Sequence, residues 1–277
     1  MSDLMERLRT KLDKVRPPSI LLTGQPKIGK TEMASFAPKP VFAYDDKELG
    51  IETLSQAGTA GNDCQFLPAH TKWQDVLDDT QALVNEDHDR KTFIYDTIGG
   101  AARLCREWFI ETHYAQGRSL DKAIQQFNGF GGINGHRDML PYFMQWITML
   151  DQLRNKGVMV ILLSHVIPVK EKNPSGEDYM QWEPDIHGVL RSELFKWADC
   201  MVMADHLRSV NDDDMKVKGD VMRVLRTQPG PGYSVGGRFR GLPDMIDMGA
   251  TGQEAWSNFW SALKPLIVKK KEVSDGS

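Results

Sequence analysis

Ser19-Ile20-Leu21-Leu22-Thr23-Gly24-Gln25-Pro26-Lys27-Ile28-Gly29-Lys30-Thr31 runs from an apolar segment of strand length into a glycine-rich turn with the spacing GxxxxGK[ST]. Thr31 to Phe36 continue as a helix until Pro38. This order of strand, loop and helix separates a phosphate-binding loop from a chance match. Its glycines let backbone N–H groups converge on phosphate oxygens, and the helix N-terminus adds a favourable dipole. Lys30 brings charge to the β and γ phosphates and Thr31 a hydroxyl for magnesium; Gly24, Gln25, Pro26, Lys27, Ile28, Gly29 and Glu32 complete the cradle. The ligands expected here are ATP and Mg2+.

Outward from this loop, short apolar runs recur at Val41 to Tyr44, Gln65 to Leu67, Thr92 to Tyr95, Val158 to Leu163 and Cys200 to Ala204, with the character of buried parallel strands. Helical patterns fall between them at Trp73 to Val84, Ala101 to His113 and Met139 to Asn155. The alternation predicts an α/β fold with a mostly parallel central sheet and helices on both faces, binding its ligand beyond the carboxyl ends of the strands. Leu4, Leu8, Leu12 and Val15 predict an amphipathic helix over 2–16, stopped by Pro17-Pro18. The expected organisation is an N-terminal helix in 1–18, an ATPase core in 19–250, and a C-terminal helix with a charged tail in 251–277. The glycine-rich stretch Phe127 to Gly135 is read as a mobile loop, and a second loop is expected over Pro168 to His187.

The 277 residues suit one large α/β domain, and a composition of 40% hydrophobic and 26% charged residues excludes wholesale disorder. No apolar run approaches the roughly 20 residues that span a bilayer, and Met1 to Arg16 lacks the apolar core of a signal peptide, so a cytoplasmic protein with no membrane partner is expected. Cys64, Cys105 and Cys200 are widely separated, without metal or redox spacing, and are expected to be reduced and buried. A net charge of -4 argues against a basic coat but leaves room for a local basic groove.

Thr92-Phe93-Ile94-Tyr95-Asp96 offers a carboxylate after an apolar strand, so Asp96 is the expected second magnesium ligand with Thr31; capping of the following helix is the alternative. Hydrolysis needs a group that orients water. Val41 to Glu48 ends in carboxylates, of which Asp46 is the first choice and Glu48 the second, against a merely solvated acidic turn. His165, at the end of Val158 to Ser164, either senses the γ phosphate or makes a local hydrogen bond.

These segments in order resemble the phage-encoded RecA-like P-loop ATPases, AAA-type nucleotide-binding proteins that include Sak-type single-strand annealing recombinases. The resemblance extends from about Ser19 to about Asp247. It rests on the phosphate loop, Phe93 to Thr97, the glycine-rich segment before Met139, Val160 to His165 and Gly176 to Tyr179. It continues through Trp182 to His187, Trp197 to Asp199, Arg223 to Thr227 and Arg238-Phe239-Arg240-Gly241-Leu242-Pro243. It implies a RecA-type core, ATP at a subunit edge, homo-oligomers, and an arginine, Arg238 or Arg240, that reaches a neighbour's γ phosphate. The chain departs from the family in carrying aspartate, not glutamate, at position 46. The family's DNA-binding loops fall on Phe127 to Arg137 and Val169 to Met180. The implied setting is a phage-infected or prophage-carrying bacterial host, with single-stranded DNA and a phage single-strand-binding or replication protein as partners. Two rival functions stand beside recombination or annealing: a nucleotide-gated interaction module with little turnover, and a small-molecule phosphotransferase.

Overall fold

Neighbouring residues of a strand face opposite sides of its sheet, so one apolar run serves two cores at once. The computed structural model describes residues 16–48, 50–61, 63–129, 134–173, 176–210, 217–230 and 232–272. The helix expected over 2–16 lies outside the described residues except for Arg16, and so do residues 273–277 of the tail.

The chain runs through β1 (Ser19–Gly24), α1 (Lys30–Ser35), β2 (Pro40–Tyr44), α2 (Gly50–Ala57), β3 (Gln65–Phe66), α3 (Trp73–Asn85), β4 (Thr92–Asp96) and α4 (Ile98–Phe109), which continues into a π-helical turn, Ile110–Tyr114. Then come α5 (Leu120–Phe127), α6 (Gly135–Asn155), β5 (Met159–Ser164), β6 (Val166–Glu171), β7 (Tyr179–Pro184) and α7 (Gly188–Trp197). The chain closes with β8 (Cys200–Val210), β9 (Val217–Arg226), β10 (Gly236–Gly237), β11 (Met245–Asp247) and α8 (Gly252–Glu272). The main sheet has the order β11-β9-β8-β1-β5-β4-β2-β3, with β10 added to β8. From β8 to β3 all pairings are parallel, while β9, β10 and β11 pair antiparallel.

Leu21, Val41, Phe93, Tyr95, Val160 and Leu162 point to one face, under α3, α4, α6 and α7, where Trp73, Phe143 and Trp146 fill the centre. Trp146 is fully buried and donates its indole N–H to Thr80 Oγ1 at 3.0 Å, so its one polar atom is satisfied. Ile20, Leu22, Phe42, Ile94, Ile161 and Leu163 point to the other face, under α1 and α8. Trp256, Phe259 and Leu263 of α8 are buried there, so the C-terminal amphipathic segment packs on its own core.

One expected loop differs. β6 (166–171) and β7 (179–184) pair antiparallel as a two-stranded ribbon, with register from Val166↔Pro184 to Glu171↔Tyr179. Its charged residues and Pro168 mask a strand whose ladder satisfies the backbone regardless of side-chain polarity. The glycine-rich stretch lies between two helices: Phe127 closes α5 with its ring 1% exposed, Asn134 caps α6 by accepting from Arg137 N–H at 3.2 Å, and residues 130–133 lie outside the described residues. Cys105 and Cys200 are buried, Cys64 is partly so, and all three are free thiols. Among the described residues no helix is long and apolar enough to cross a membrane.

Candidate functional site

Four adjacent parallel strands, β1, β5, β4 and β2, deliver their carboxyl ends to one edge of the sheet. They bring together the phosphate loop after β1, His165 after β5, Asp96 at the end of β4, and the turn Asp45 to Glu48 after β2.

The loop leaves β1 at Gly24, where a side chain would collide with the carbonyl of Ala204 on β8, a Cβ lying 2.7 Å from that oxygen. Lys27 and Gly29 take left-handed backbone conformations, φ 65° and 102°. Lys30 folds back across the loop and donates from Nζ to the carbonyls of Gly24 at 2.9 Å and Gln25 at 3.0 Å. Thr31 donates its hydroxyl to Asp96 Oδ2 at 2.6 Å, joining the two residues singled out as metal ligands. Thr97 Oγ1 caps α4 by accepting from Gly100 N–H, so Asp96 is not the helix cap. Thr31 and Asp96 present hard oxygen donors side by side, and a buried carboxylate with no ion pair among the described residues fits Mg2+.

Burial pushes the Asp96 carboxyl up to about 6, against the Thr31 hydrogen bond and with help from the negative charge of Glu48. Burial pushes Lys30 down to about 8, opposed by Asp96 and Glu48. Metal binding needs the Asp96 carboxylate, so affinity falls as pH drops through the Asp96 value; phosphate binding needs the Lys30 ammonium, so affinity falls as pH rises through the Lys30 value. Titrated from about pH 5 to about pH 9, Mg·ADP is expected to bind best between about 6 and about 8. Affinity still climbing at the alkaline end would contradict the placement of Lys30.

Glu48, not Asp46, faces this cluster. Its Oε2 lies 3.7 Å from His165 Nε2 and its Oε1 accepts from Gly50 N–H at 3.3 Å. The His165 contact, ahead of Gly50 and Lys30, holds its carboxyl below the usual range, so it is ionised at neutral pH. Asp46 turns away to Arg103 Nη2 at 2.8 Å, its side chain 41% exposed. The same guanidinium takes Asp45 at 2.8 Å and Glu107 at 3.0 Å, so one arginine from α4 fixes the turn that aims Glu48. Gly100 makes room for it, since a Cβ there would lie 1.7 Å from Asp45 Oδ2. No motif marks Arg103; only the turn of α4 that places it opposite β2 gives it this role.

Arg238 sits at the other end of the sheet, donating to Asp199 Oδ1 at 2.5 Å and to the Lys196 carbonyl at 2.5 Å, where Asp199 N–H also meets the carbonyl of Ser19. Ser19 opens β1 and Gly24 closes it, so Arg238 stands about 17 Å from its own phosphate loop by strand rise. Arg240 is exposed and takes no ion pair among the described residues. Neither arginine belongs to the cluster within its own chain.

Beside the cluster, α4, α6, α7 and β6 enclose a pocket of about 520 Å³ lined by Arg103, Arg106, Arg191, His136, His187 and Asp185. The rings of His136 and His187 stack at 3.6 Å, and burial, then His187 and Arg106, push His136 down to about 4. His136 is therefore neutral at physiological pH, and of the arginines lining the pocket Arg103 and Arg191 are paired with carboxylates.

Residues 16–239 match the family described as AAA domain. No curated protein sequence matches the chain. Among solved structures it is similar to the flagellar accessory protein FlaH from Methanocaldococcus jannaschii, at 9% identity and a TM-score of 0.42, over 89% of this chain and 90% of that one. It is also similar to the RadB recombinase, at 13% identity and a TM-score of 0.44, over 87% of this chain and 91% of that one. A family match over most of the chain, on a mostly parallel sheet whose first strand opens into this phosphate loop, makes the protein a member of the AAA-domain family.

Proposed function

We propose that this chain hydrolyses ATP with Mg2+ and acts on single-stranded DNA in recombination or annealing, as a phage-type, Sak-like member of its family working in homo-oligomers. The observation that carries the hydrolytic part is the convergence of Lys30, Thr31, Asp96, Glu48 and His165 at one sheet edge, through the Thr31–Asp96 and Glu48–His165 contacts. Lys30 leaves its loop carbonyls for the β and γ phosphates, and Thr31 and Asp96 hold the metal, which when bound offsets charge on the transferring phosphoryl group. Glu48 accepts the proton of the attacking water, and His165, in contact with Glu48, stands where the γ phosphate is sensed. Arg240 is better placed than Arg238 to reach a neighbour's site, because Arg238 is held by Asp199.

The DNA part draws support from the hairpin directly after His165. The chain passes at once into β6, and one face of the hairpin presents Pro168, Lys170, Met180 and Trp182, cross-strand partners that are all exposed. Aromatic and apolar groups stack bases, and a lysine answers phosphate. The arginine-lined pocket lies at the foot of the same hairpin. Steady-state ATP turnover, measured with and without single-stranded DNA at low and moderate salt, tests the proposal. A several-fold, salt-sensitive stimulation is expected. If DNA alters neither nucleotide affinity nor turnover, the DNA role is rejected and the nucleotide-gated interaction module takes its place, with the hairpin as its protein-binding face.

A further inference from the structure

We propose that Arg223, on β9, is a positioning residue that holds the phosphate loop in its nucleotide-gripping conformation and ties it to the start of α8. This role rests on the assignment of 24–31 as a P-loop and goes beyond it, because Arg223 belongs to no phosphate-binding motif. Its guanidinium spans two carbonyls: Nη1 donates to Ile28 O at 3.4 Å and Nη2 to Gly249 O at 2.9 Å. The first contact bears on phosphate binding through peptide geometry. A trans peptide directs its C=O and N–H to opposite sides, so a carbonyl of Ile28 drawn towards Arg223 turns the N–H of Gly29 away from it, to the side on which a P-loop meets phosphate. The guanidinium presses so close that a Cβ on Gly29 would lie 2.8 Å from Nη1. Gly29 is thus required twice over, for its left-handed φ of 102° and for the space Arg223 occupies.

The second contact extends the tie. Gly249 precedes the capping box of α8, in which Glu254 Oε2 accepts from Ala250 and Thr251 N–H, and Thr251 Oγ1 accepts from Glu254 N–H. Gly252 N–H in turn donates to Glu32 Oε1 at 3.0 Å, in the first turn of α1. Loop, β9, α8 and α1 form a closed ring of contacts, and nucleotide in the loop tightens the amides at 249–252 as well.

The test uses the full chain and the fluorescence of a ribose-labelled ATP analogue with Mg2+, on wild type, Lys30→Ala, Arg223→Gln and Arg223→Lys. Arg223→Gln is expected to weaken ATP and ADP alike by about 10-fold, the scale of losing one charge-assisted hydrogen bond, with kcat at saturating ATP within about twofold of wild type. Arg223→Lys keeps the charge but reaches one carbonyl, and is expected to restore part of the affinity. Hydrogen exchange at 249–252 is expected to slow with ADP in wild type and not in Arg223→Gln, a response that a merely structural arginine would not control. Wild-type affinity in folded Arg223→Gln overturns the role, as does a loss confined to kcat. Should Arg223→Gln not fold, Arg223→Lys decides by the same two readouts: full affinity with full ADP protection overturns the role, and a partial loss of both supports it. A wild type that binds no nucleotide overturns the P-loop assignment itself, and this role with it.

Discussion

Lys30→Ala is expected to lower ATP turnover on the order of 10²- to 10³-fold, the usual result of removing a donor aimed at charge that develops in the transition state. Stability should barely move. In the folded chain Lys30 is 5% exposed, and its ammonium donates to the loop carbonyls of Gly24 and Gln25. Burial lowers its folded value from 10.5 to about 8, so the charged form is disfavoured on folding by about 3 kcal/mol at neutral pH. Between about 8 and 10.5 the unfolded chain holds the proton and the folded chain does not, so stability rises with pH across that window. Removing the ammonium relieves this cost, and the lost packing of its buried stem offsets part of the gain. The variant is therefore expected to melt within a few degrees of wild type. The ligand-induced shift, however, should vanish: saturating nucleotide at about 100 Kd adds about 2.7 kcal/mol to a protein that binds it and nothing to one that does not. Turnover and thermal shift retained together in Lys30→Ala would remove the proposed site.

The parts of this molecule that are legible in its sequence are those whose signal is local. The GxxxxGK[ST] spacing reports a loop whose backbone does the binding, and the runs at 19–23, 92–95 and 158–163 are buried on both faces, so they read as strands without any alternation. Asp96 is legible because it directly ends such a run. The rest depends on contacts distant in sequence. Asp46 and Glu48 stand two residues apart on one turn, and their roles are separated by Arg103, which arrives from 57 residues away to claim Asp46 and Asp45. Nothing in the turn's own composition announces that arginine. Residues 168–187 carry lysine, glutamate and proline, a composition read as loop, yet 166–171 and 179–184 pair because a two-stranded ribbon exposed on one face tolerates polar side chains there. The short α2 and the edge strands β10 and β11 carry too few residues for periodicity to register. Arg238 reads as a basic residue before Gly241-Leu242-Pro243, and only the fold shows Asp199 holding it at the far end of β1.

Glu48→Gln is expected to lower kcat on the order of 10²- to 10³-fold while nucleotide affinity stays close to wild type, the pattern of a lost general base rather than a lost binding contact. Glutamine keeps the side chain's length and its capacity to accept from Gly50 N–H, so the turn is retained. What it loses is the carboxylate that His165 keeps ionised. Asp46→Asn provides the contrast. Its carboxylate is 41% exposed and pairs with an arginine that has Asp45 and Glu107 as well, so the loss should cost no more than about 1 kcal/mol of stability and a small change in kcat. Both variants remove one negative charge within three positions of each other, so a long-range electrostatic effect on the phosphates would affect them comparably. A large loss in Glu48→Gln beside a small one in Asp46→Asn therefore assigns proton transfer to the side chain that faces Thr31, Asp96 and His165. The reverse pattern would return that role to Asp46 and would require the Arg103 pairing to break when nucleotide binds, which a hydrogen-exchange change at the amides of 45–48 would reveal.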